Sequence, residues 1–183
     1  MRLKIEPEVV ESAQAGSEAL EPLIAAVWPE AYRVALVILR DRGLAEDAAQ
    51  EACAAIARSL TSLKSSDAFA AWSYKIVVSH ALASARRRRR TESLDALADR
   101  GVGFDRSGTL DLYAALASLT PLQRAAILLR YYAGLSSSEI SAATGVPSPT
   151  VRFHLMRARR ALRTALSAGP NPFSYDEALT DVH

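Results

Sequence analysis

Residues 136–152 read SSSEISAATGVPSPTVR and predict two short helices joined by a tight turn. Ile140 and Val146 fall where two packed helices bury apolar side chains against each other. Gly145 stands where the turn requires a positive φ, which glycine adopts without a steric penalty. Ser148 followed by proline predicts a helix start, with serine as the N-cap and proline in the first turn. The pattern is typical of a helix-turn-helix.

The second helix of this unit continues beyond residue 152 and is strongly basic. Its apolar residues recur at helical spacing and form one buried stripe: Val151, Leu155, Ala158, Leu162 and Leu166. Residues 152–163 contain five arginines and no acidic residue. Such a face suits DNA phosphates, and the second helix of a helix-turn-helix lies in the major groove. A solvated basic face on an ordinary amphipathic helix is the alternative, which the preceding turn signature disfavours.

Composition and charge bound the class of protein. The chain has 183 residues, half of them hydrophobic, which suits one or two small domains. The net charge of +2 hides local segregation, because residues 86–90 are five consecutive arginines and nucleic acid responds to such a local patch. Cys53 is the only cysteine, so no disulfide framework is expected. No secretory signal is evident and no unbroken apolar run approaches ~18 residues. We therefore expect a cytoplasmic protein without membrane insertion.

The periodicity predicts an all-α fold of two small helical domains joined by a flexible linker, with the helix-turn-helix in the second. Helices are predicted at 17–27, 30–40, 44–60, 67–90, 109–118 and 121–132. The first domain is predicted at 1–90 and the second at 109–168. Residues 91–108 carry three glycines and four acids without a sustained period, which is typical of a linker. Residues 169–183 are predicted to be a flexible tail.

Residues 45–51, AEDAAQE, place polar side chains on one face of a predicted helix. Asp47, Gln50 and Glu51 share this face, while small alanines share another. A solvated acidic surface is one interpretation. The other is a docking surface for a basic partner, where charged contacts give register and association rate.

Aromatic residues precede the arginine run on a single predicted helix. Residues 69–76 read FAAWSYKI and lead into Arg86–Arg90. Rings that stack on bases, followed by arginines that track the backbone, suit single-stranded DNA. Phe69, Trp72 and Ile76 also have core spacing, and this alternative is favoured for Phe69 and Ile76. The arginines alone also suit a solvated helix end, where cations complement the helix dipole.

Together these motifs resemble a bacterial RNA polymerase sigma factor, of the extracytoplasmic-function (ECF) type of the sigma-70 family. The resemblance covers about residues 22–90 and 110–166. The motifs that carry it, in chain order, are AEDAAQE at 45–51, WSYKI at 72–76, the arginines at 86–90, LTPLQR at 119–124, LLRYY at 128–132, TVR at 150–152 and RAR at 157–159. AEDAAQE resembles the family's core-polymerase-binding motif, WSYKI its promoter-melting segment, and the arginines the basic end of that segment. LTPLQR and LLRYY resemble the start of the second domain. TVR and RAR resemble the recognition helix.

The resemblance implies a factor that binds RNA polymerase core and directs promoter recognition, DNA melting and transcription initiation. The implied core-polymerase contacts are Glu46, Asp47, Gln50 and Glu51. The implied −10 DNA contacts are Trp72, Tyr74, Lys75, Ser79, Arg86, Arg87 and Arg88, with the loop at residues 65–68 receiving an unpaired base. The implied −35 DNA contacts are Ser148, Thr150, Arg152, Phe153, Arg157 and Arg159. The implied partners are polymerase core, promoter DNA and an inhibitory anti-sigma factor. No catalytic residue, metal or cofactor is expected.

A second interpretation is a helix-turn-helix regulator that binds duplex operator DNA without acting as a polymerase subunit. Residues 1–90 would then form a sensing or dimerisation domain. The arginine block beside aromatic residues disfavours this interpretation. An enzyme has no support, because the three histidines (His80, His154 and His183) are scattered and no glycine-rich phosphate loop exists.

Overall fold

The computed structural model describes residues 5–91 and 115–167, and both parts are built from helices. The α-helices are α1 (Pro7–Ala15), α2 (Leu20–Leu39), α3 (Arg42–Ser59), α4 (Phe69–Thr91), α5 (Pro121–Ile127), α6 (Ser137–Thr144) and α7 (Ser148–Ser167). Short 3₁₀ turns occupy Ser17–Ala19, Leu60–Ser62 and Ser66–Ala68, and a π turn at Leu128–Tyr132 extends α5. No strand occurs in these two ranges. The predicted all-α class is confirmed.

Helix α2 differs from the prediction, which was wrong to end one helix near Trp28 and start another at residue 30. The helix runs unbroken through Pro29. An internal proline costs about 3 kcal/mol or more in isolation, since it removes one hydrogen bond and crowds the preceding turn. Burial on both sides offsets this cost, because Val27 and Ala31 are 1% and 2% exposed. Tertiary packing therefore overrides the local signal.

The first helical bundle consists of α2, α3 and α4, closed at one end by α1. Helix α3 faces its neighbours with small residues, namely Ala45, Ala48, Ala49, Ala52 and Cys53, which permit close approach. Helix α1 was not predicted. Its Val10 is fully buried, and Gln14 Nε2 donates hydrogen bonds to the carbonyl oxygens of Leu60 and Leu63 at 3.0 and 2.9 Å. These bonds fix α1 to the end of α3.

Helix α2 is the apolar helix of this bundle. Among the described helices it alone is long and apolar enough to cross a membrane, judged by length and composition only. A criterion of unbroken apolar residues misses it, because Glu30 and Arg33 interrupt the run. Half of its apolar window is buried within the protein, as expected for the core helix of a bundle.

The predicted helix-turn-helix is confirmed as α6, a turn and α7. Ser136 begins α6 in a capping box, because its hydroxyl accepts from the N–H of Glu139 and the Glu139 carboxylate accepts from the N–H of Ser136. Gly145 ends α6 with φ 70°, as predicted. One detail was wrong: α7 begins at Ser148 itself, and the Ser148 hydroxyl donates to Ser137 O at 3.3 Å. Ser148 thus ties the two helices together.

We expect Gly145→Ala to lower the free energy of unfolding by about 1–2 kcal/mol, because an alanine in the left-handed region is strained. An added Cβ would meet no atom within 4 Å, so the backbone conformation alone causes the loss. Urea unfolding monitored by circular dichroism measures it. Gly16→Ala is the matched control, since Gly16 has an extended φ of −159° and equally open space. Equal destabilisation by both variants would contradict this account.

The two described parts share one continuous hydrophobic core. Helix α4 packs on α5 and α6, and α2 packs on α5. Leu129, Ile140 and Val151 of the second part belong to the same cluster as Leu23 and Ile56 of the first. The predicted tail lies outside the described residues. So does the predicted linker, except for Thr91, which ends α4.

Candidate nucleic-acid interface

The predicted core-polymerase residues lie on the outer face of α3. Glu46, Asp47, Gln50 and Glu51 are all exposed, while the alanines at 45, 48, 49 and 52 are buried. Asp41 begins this helix by accepting a hydrogen bond from the N–H of Leu44 at 3.0 Å. The helical period therefore sorts α3 into an apolar inner face and an acidic outer face, as its sequence pattern predicts.

This acidic face meets the basic end of α4 across an open cleft of about 780 Å³, whose lining includes Asp47, Gln50 and Arg87. Glu51 Oε2 lies 3.2 Å from His80 Nδ1 and 3.5 Å from Arg87 Nη2. The hydrogen bond with His80 is the main cause that lowers the pKa of Glu51, and the Arg87 charge adds to it. Because the pKa of Glu51 is lower in the folded chain, its contacts with His80 and Arg87 stabilise the fold at neutral pH. This contribution is lost as the pH falls through the folded-state pKa. Glu51 is therefore an anion at neutral pH.

His80 was not among the predicted site residues. Its position beside Glu51 depends on the packing of α4 against α3, and the two residues lie 29 positions apart in the chain. The sequence contains no short-range signal for such a pair. His80 thus orients an acidic side chain that its own helix does not carry.

Four of the predicted −10 residues form one stripe along α4. Trp72, Lys75, Ser79 and Arg86 follow each other at intervals of three, four and seven residues, which places them on one side of a helix. Ser79 and Arg86 are exposed, and Trp72 and Lys75 are half-buried. The Trp72 ring packs against the buried Phe69 ring, with centroids 6.0 Å apart. Phe69 is a core residue, as its spacing favoured.

Tyr74, Arg87 and Arg88 lie off this stripe. Arg87 is exposed beside Glu51, and Arg88 is half-buried with Nη1 3.7 Å from Asp41 Oδ2. Tyr74 is only 4% exposed, and its hydroxyl donates to Glu30 Oε1 at 3.1 Å. In this arrangement the Tyr74 ring is therefore not presented to DNA. Its contact with a base stays a prediction, and it requires the Tyr74 side chain to leave both Glu30 of its own domain and Tyr132 of the second domain.

The predicted −35 residues lie on α7. Thr150, Arg152, Phe153 and Arg157 are exposed, and Arg157 lies over the Phe153 ring at 5.7 Å from its centroid. Phe153 is 49% exposed, so its ring faces solvent. The opposite face of the helix is buried through Val151, Leu155 and Ala158. The exposed face of α7 thus carries an apolar ring and two guanidinium groups, and that of Arg157 lies against the ring.

Two predicted −35 residues are placed differently. Arg159 is half-buried, and its guanidinium lies over the ring of Tyr131 at 5.7 Å from the centroid. Ser148 is half-buried and bonds to Ser137 O. Met156, which was not predicted, is 58% exposed beside Phe153. The free face of α7 is therefore more apolar than its arginine count suggests.

Comparison with known proteins agrees with this organisation. Residues 23–91 match the family model for sigma-70 region 2, and residues 109–162 match that for sigma-70 region 4. The chain is 30% identical to the ECF RNA polymerase sigma-E factor of Escherichia coli K12 over 176 residues, covering 84% of this chain and 90% of that protein. It is 28% identical to RNA polymerase sigma factor SigV of Bacillus subtilis over 142 residues, covering 74% and 84%.

A solved structure has the same fold. The sigma factor RpoE of Bartonella quintana, crystallised with the anti-sigma factor NepR, aligns with a TM-score of 0.65 at 22% identity. The alignment covers 82% of this chain and 98% of that one. Two family models in the expected order and a relative matched over nearly its full length establish the family. The chain belongs to the sigma-70 family of RNA polymerase sigma factors, in its ECF group, and is a promoter-recognition factor that works with polymerase rather than a stand-alone regulator.

Proposed function

We propose that the acidic face of α3 docks on the polymerase core through Glu46, Asp47, Gln50 and Glu51. The observation that carries the proposal is the placement of this face and the Trp72–Arg86 stripe on one packed pair of helices, α3 and α4. Because α3 and α4 are packed on each other, a polymerase bound to α3 holds the DNA-binding side chains of α4 in a fixed position relative to it. Complementary charge between acidic and basic surfaces accelerates association and fixes register.

The stripe along α4 then binds the −10 element as unpaired DNA. Trp72 stacks on a base that has left the duplex, next to the loop at 65–68, and Arg86 and Arg87 hold nearby phosphates. Stacking on an aromatic ring is worth about 1–3 kcal/mol per base. Flipping a base costs a few kcal/mol, so the stripe favours steps that unstack easily.

The free face of α7 reads the −35 element as duplex DNA. Arg152 and Arg157 reach base edges, where a bidentate arginine–guanine pair gives about 1–3 kcal/mol of discrimination. Phe153 contacts a thymine methyl, which is an apolar contact in the major groove. Arg159, held against Tyr131, supports the helix or reaches a phosphate rather than a base edge.

The domain limits and the cellular setting complete the proposal. Residues 1–90 bind core polymerase and the −10 element, residues 109–168 bind the −35 element, and 91–108 and 169–183 are linker and tail. The protein is cytoplasmic and is a subunit without catalytic activity of its own. An anti-sigma factor inhibits it, and the support for this partner is the complex that RpoE of Bartonella quintana forms with the anti-sigma factor NepR.

Abortive initiation with purified core polymerase tests this function. Promoter libraries, as duplexes and with a pre-melted bubble, are transcribed with and without the chain. We expect transcripts only with the chain, and a loss of roughly 5- to 150-fold for Arg152→Ala on the enriched promoters, which is about 1–3 kcal/mol. Glu8→Ala, which truncates an exposed charged side chain of α1, should leave the yield unchanged. Duplex binding without any core-dependent transcription would overturn the proposal.

A further inference from the structure

Helix α1 is attached to the segment that connects α3 with α4. Gln14 holds the start of this segment, because its side-chain amide donates to the carbonyl oxygens of Leu60 and Leu63. Glu11 lies one turn earlier, on the same side of α1. The Ser66 hydroxyl donates to Glu11 Oε1 at 2.7 Å. Helix α1 therefore holds the connecting segment at two places, through two different side chains.

Ser66 belongs to the loop at 65–68, to which we assign the unpaired base of the −10 element. The loop contains one 3₁₀ turn, Ser66–Ala68, which packs on α1. Val10 of α1 is fully buried, so the helix that carries Glu11 is held by the core. The position of the Ser66 hydroxyl is thus set by a helix that lies much earlier in the chain.

The hydrogen bond also determines which group Ser66 can offer to DNA. A hydroxyl has one hydrogen and two acceptor lone pairs, whereas an ionised carboxylate can only accept. While Ser66 donates to Glu11, its oxygen can therefore only accept a hydrogen bond from a base. Adenine and cytosine carry an amino donor where guanine and thymine carry a carbonyl acceptor. A Ser66 hydroxyl that is oriented in this way favours adenine or cytosine, while a freely rotating hydroxyl accommodates all four bases.

We propose that Glu11 of α1 is a positioning residue for base recognition, and that it acts through the hydroxyl of Ser66. The proposal rests on the function proposed above for the loop at 65–68. A base that has left the duplex is identified by hydrogen bonds to its Watson–Crick edge, so an acceptor of fixed orientation contributes to specificity. Helix α1 contributes to promoter selectivity in this way although it lies outside residues 23–91, which match sigma-70 region 2.

Abortive initiation with core polymerase on pre-melted promoters tests the proposal. Each base of the unpaired −10 strand is replaced in turn by the other three. Selectivity at a position is the yield with adenine or cytosine divided by the yield with guanine or thymine. Ser66→Ala identifies the position that the loop reads, because selectivity is lost there. The other full-length variants are Glu11→Ala, Glu11→Gln, the Glu11→Ala, Ser66→Ala pair, and Glu8→Ala, which removes the same charge from an exposed position of α1.

The unmodified chain is expected to favour adenine or cytosine at that position. Glu11→Ala should lower this selectivity about threefold to tenfold, the usual net effect of one hydrogen bond, and leave the other positions and core binding unchanged. Glu11→Gln keeps an acceptor oxygen and should retain most of the selectivity. Glu11→Ala should have no further effect when Ser66 is already alanine, because the two side chains act through one contact. Glu8→Ala should behave as the unmodified chain does.

Four results would overturn the role of Glu11. They are a preference of the unmodified chain for guanine or thymine, undiminished selectivity in Glu11→Ala, an equal loss in Glu8→Ala, and a further loss when Glu11→Ala is added to Ser66→Ala. A loss at every position together with a lowered Tm would also reject it, since Glu11 would then only stabilise the fold.

Failure of the proposed function gives a different pattern. The unmodified chain would then support no core-dependent transcription, or it would show no selectivity that depends on Ser66 at any position. Either pattern rejects the base-binding loop and the role of Glu11 together. Core-dependent transcription with selectivity that depends on Ser66, combined with any result that overturns the role of Glu11, rejects that role alone.

Discussion

Transcription by this factor is expected to fall about 100-fold or more when Asp47 and Glu51 are both replaced by lysine. Both side chains are exposed on α3, and the change makes the face that we propose docks on polymerase basic instead of acidic. Juxtaposed like charges at an interface cost several kcal/mol, and each 1.4 kcal/mol is tenfold in affinity. Competition for core polymerase against a labelled unmodified chain measures binding, and abortive initiation measures the consequence.

The matched control is the pair Glu8→Lys and Glu18→Lys, which makes the same change in net charge at exposed positions outside α3. This control should compete for core polymerase as the unmodified chain does. The Tm of both pairs is compared, because Glu51 also contacts His80 and Arg87. If the Asp47→Lys, Glu51→Lys variant binds core polymerase as well as the unmodified chain does, the acidic face of α3 is not the docking surface.

Open-complex formation on duplex promoters is expected to fall roughly 5- to 150-fold in Trp72→Ala. The range corresponds to the loss of about 1–3 kcal/mol from one base stacked on an aromatic ring. Trp72 is half-buried against Phe69, which leaves part of the ring accessible at the outer side of α4. Permanganate footprinting of unpaired thymines measures the opening directly.

Comparing a duplex template with a pre-melted one distinguishes two effects of Trp72→Ala, the loss of base capture and the loss of packing around Phe69. On a bubble that is already melted, Trp72→Ala should recover most of its activity, because unpairing no longer has to be driven by capture. Trp72→Phe keeps a ring and should retain much of the duplex activity. An equal loss on both templates, with a lowered Tm, would mean that Trp72 serves only the packing around Phe69.

Local chemistry made the helix-turn-helix predictable. The Ser136–Glu139 capping box and the positive φ of Gly145 need only a few neighbouring residues to form. The same holds for the sorting of α3 and α7 into buried and exposed faces, because the helical period alone determines it. The acidic residues proposed for docking and the basic residues proposed for recognition were therefore predicted on outward faces, where the structure has most of them.

Long-range packing decided what the sequence pattern missed. Helix α2 continues through Pro29 because Val27 and Ala31 on either side are buried. Tyr74 is buried instead of exposed because Glu30 and Tyr132 contact it from elsewhere in the chain. Arg159 turns toward Tyr131 for the same kind of reason. A single sequence specifies helices and their faces through contacts a few residues apart. Which faces meet depends on desolvation and hydrogen bonding between residues dozens of positions apart, and only the tertiary structure determines it.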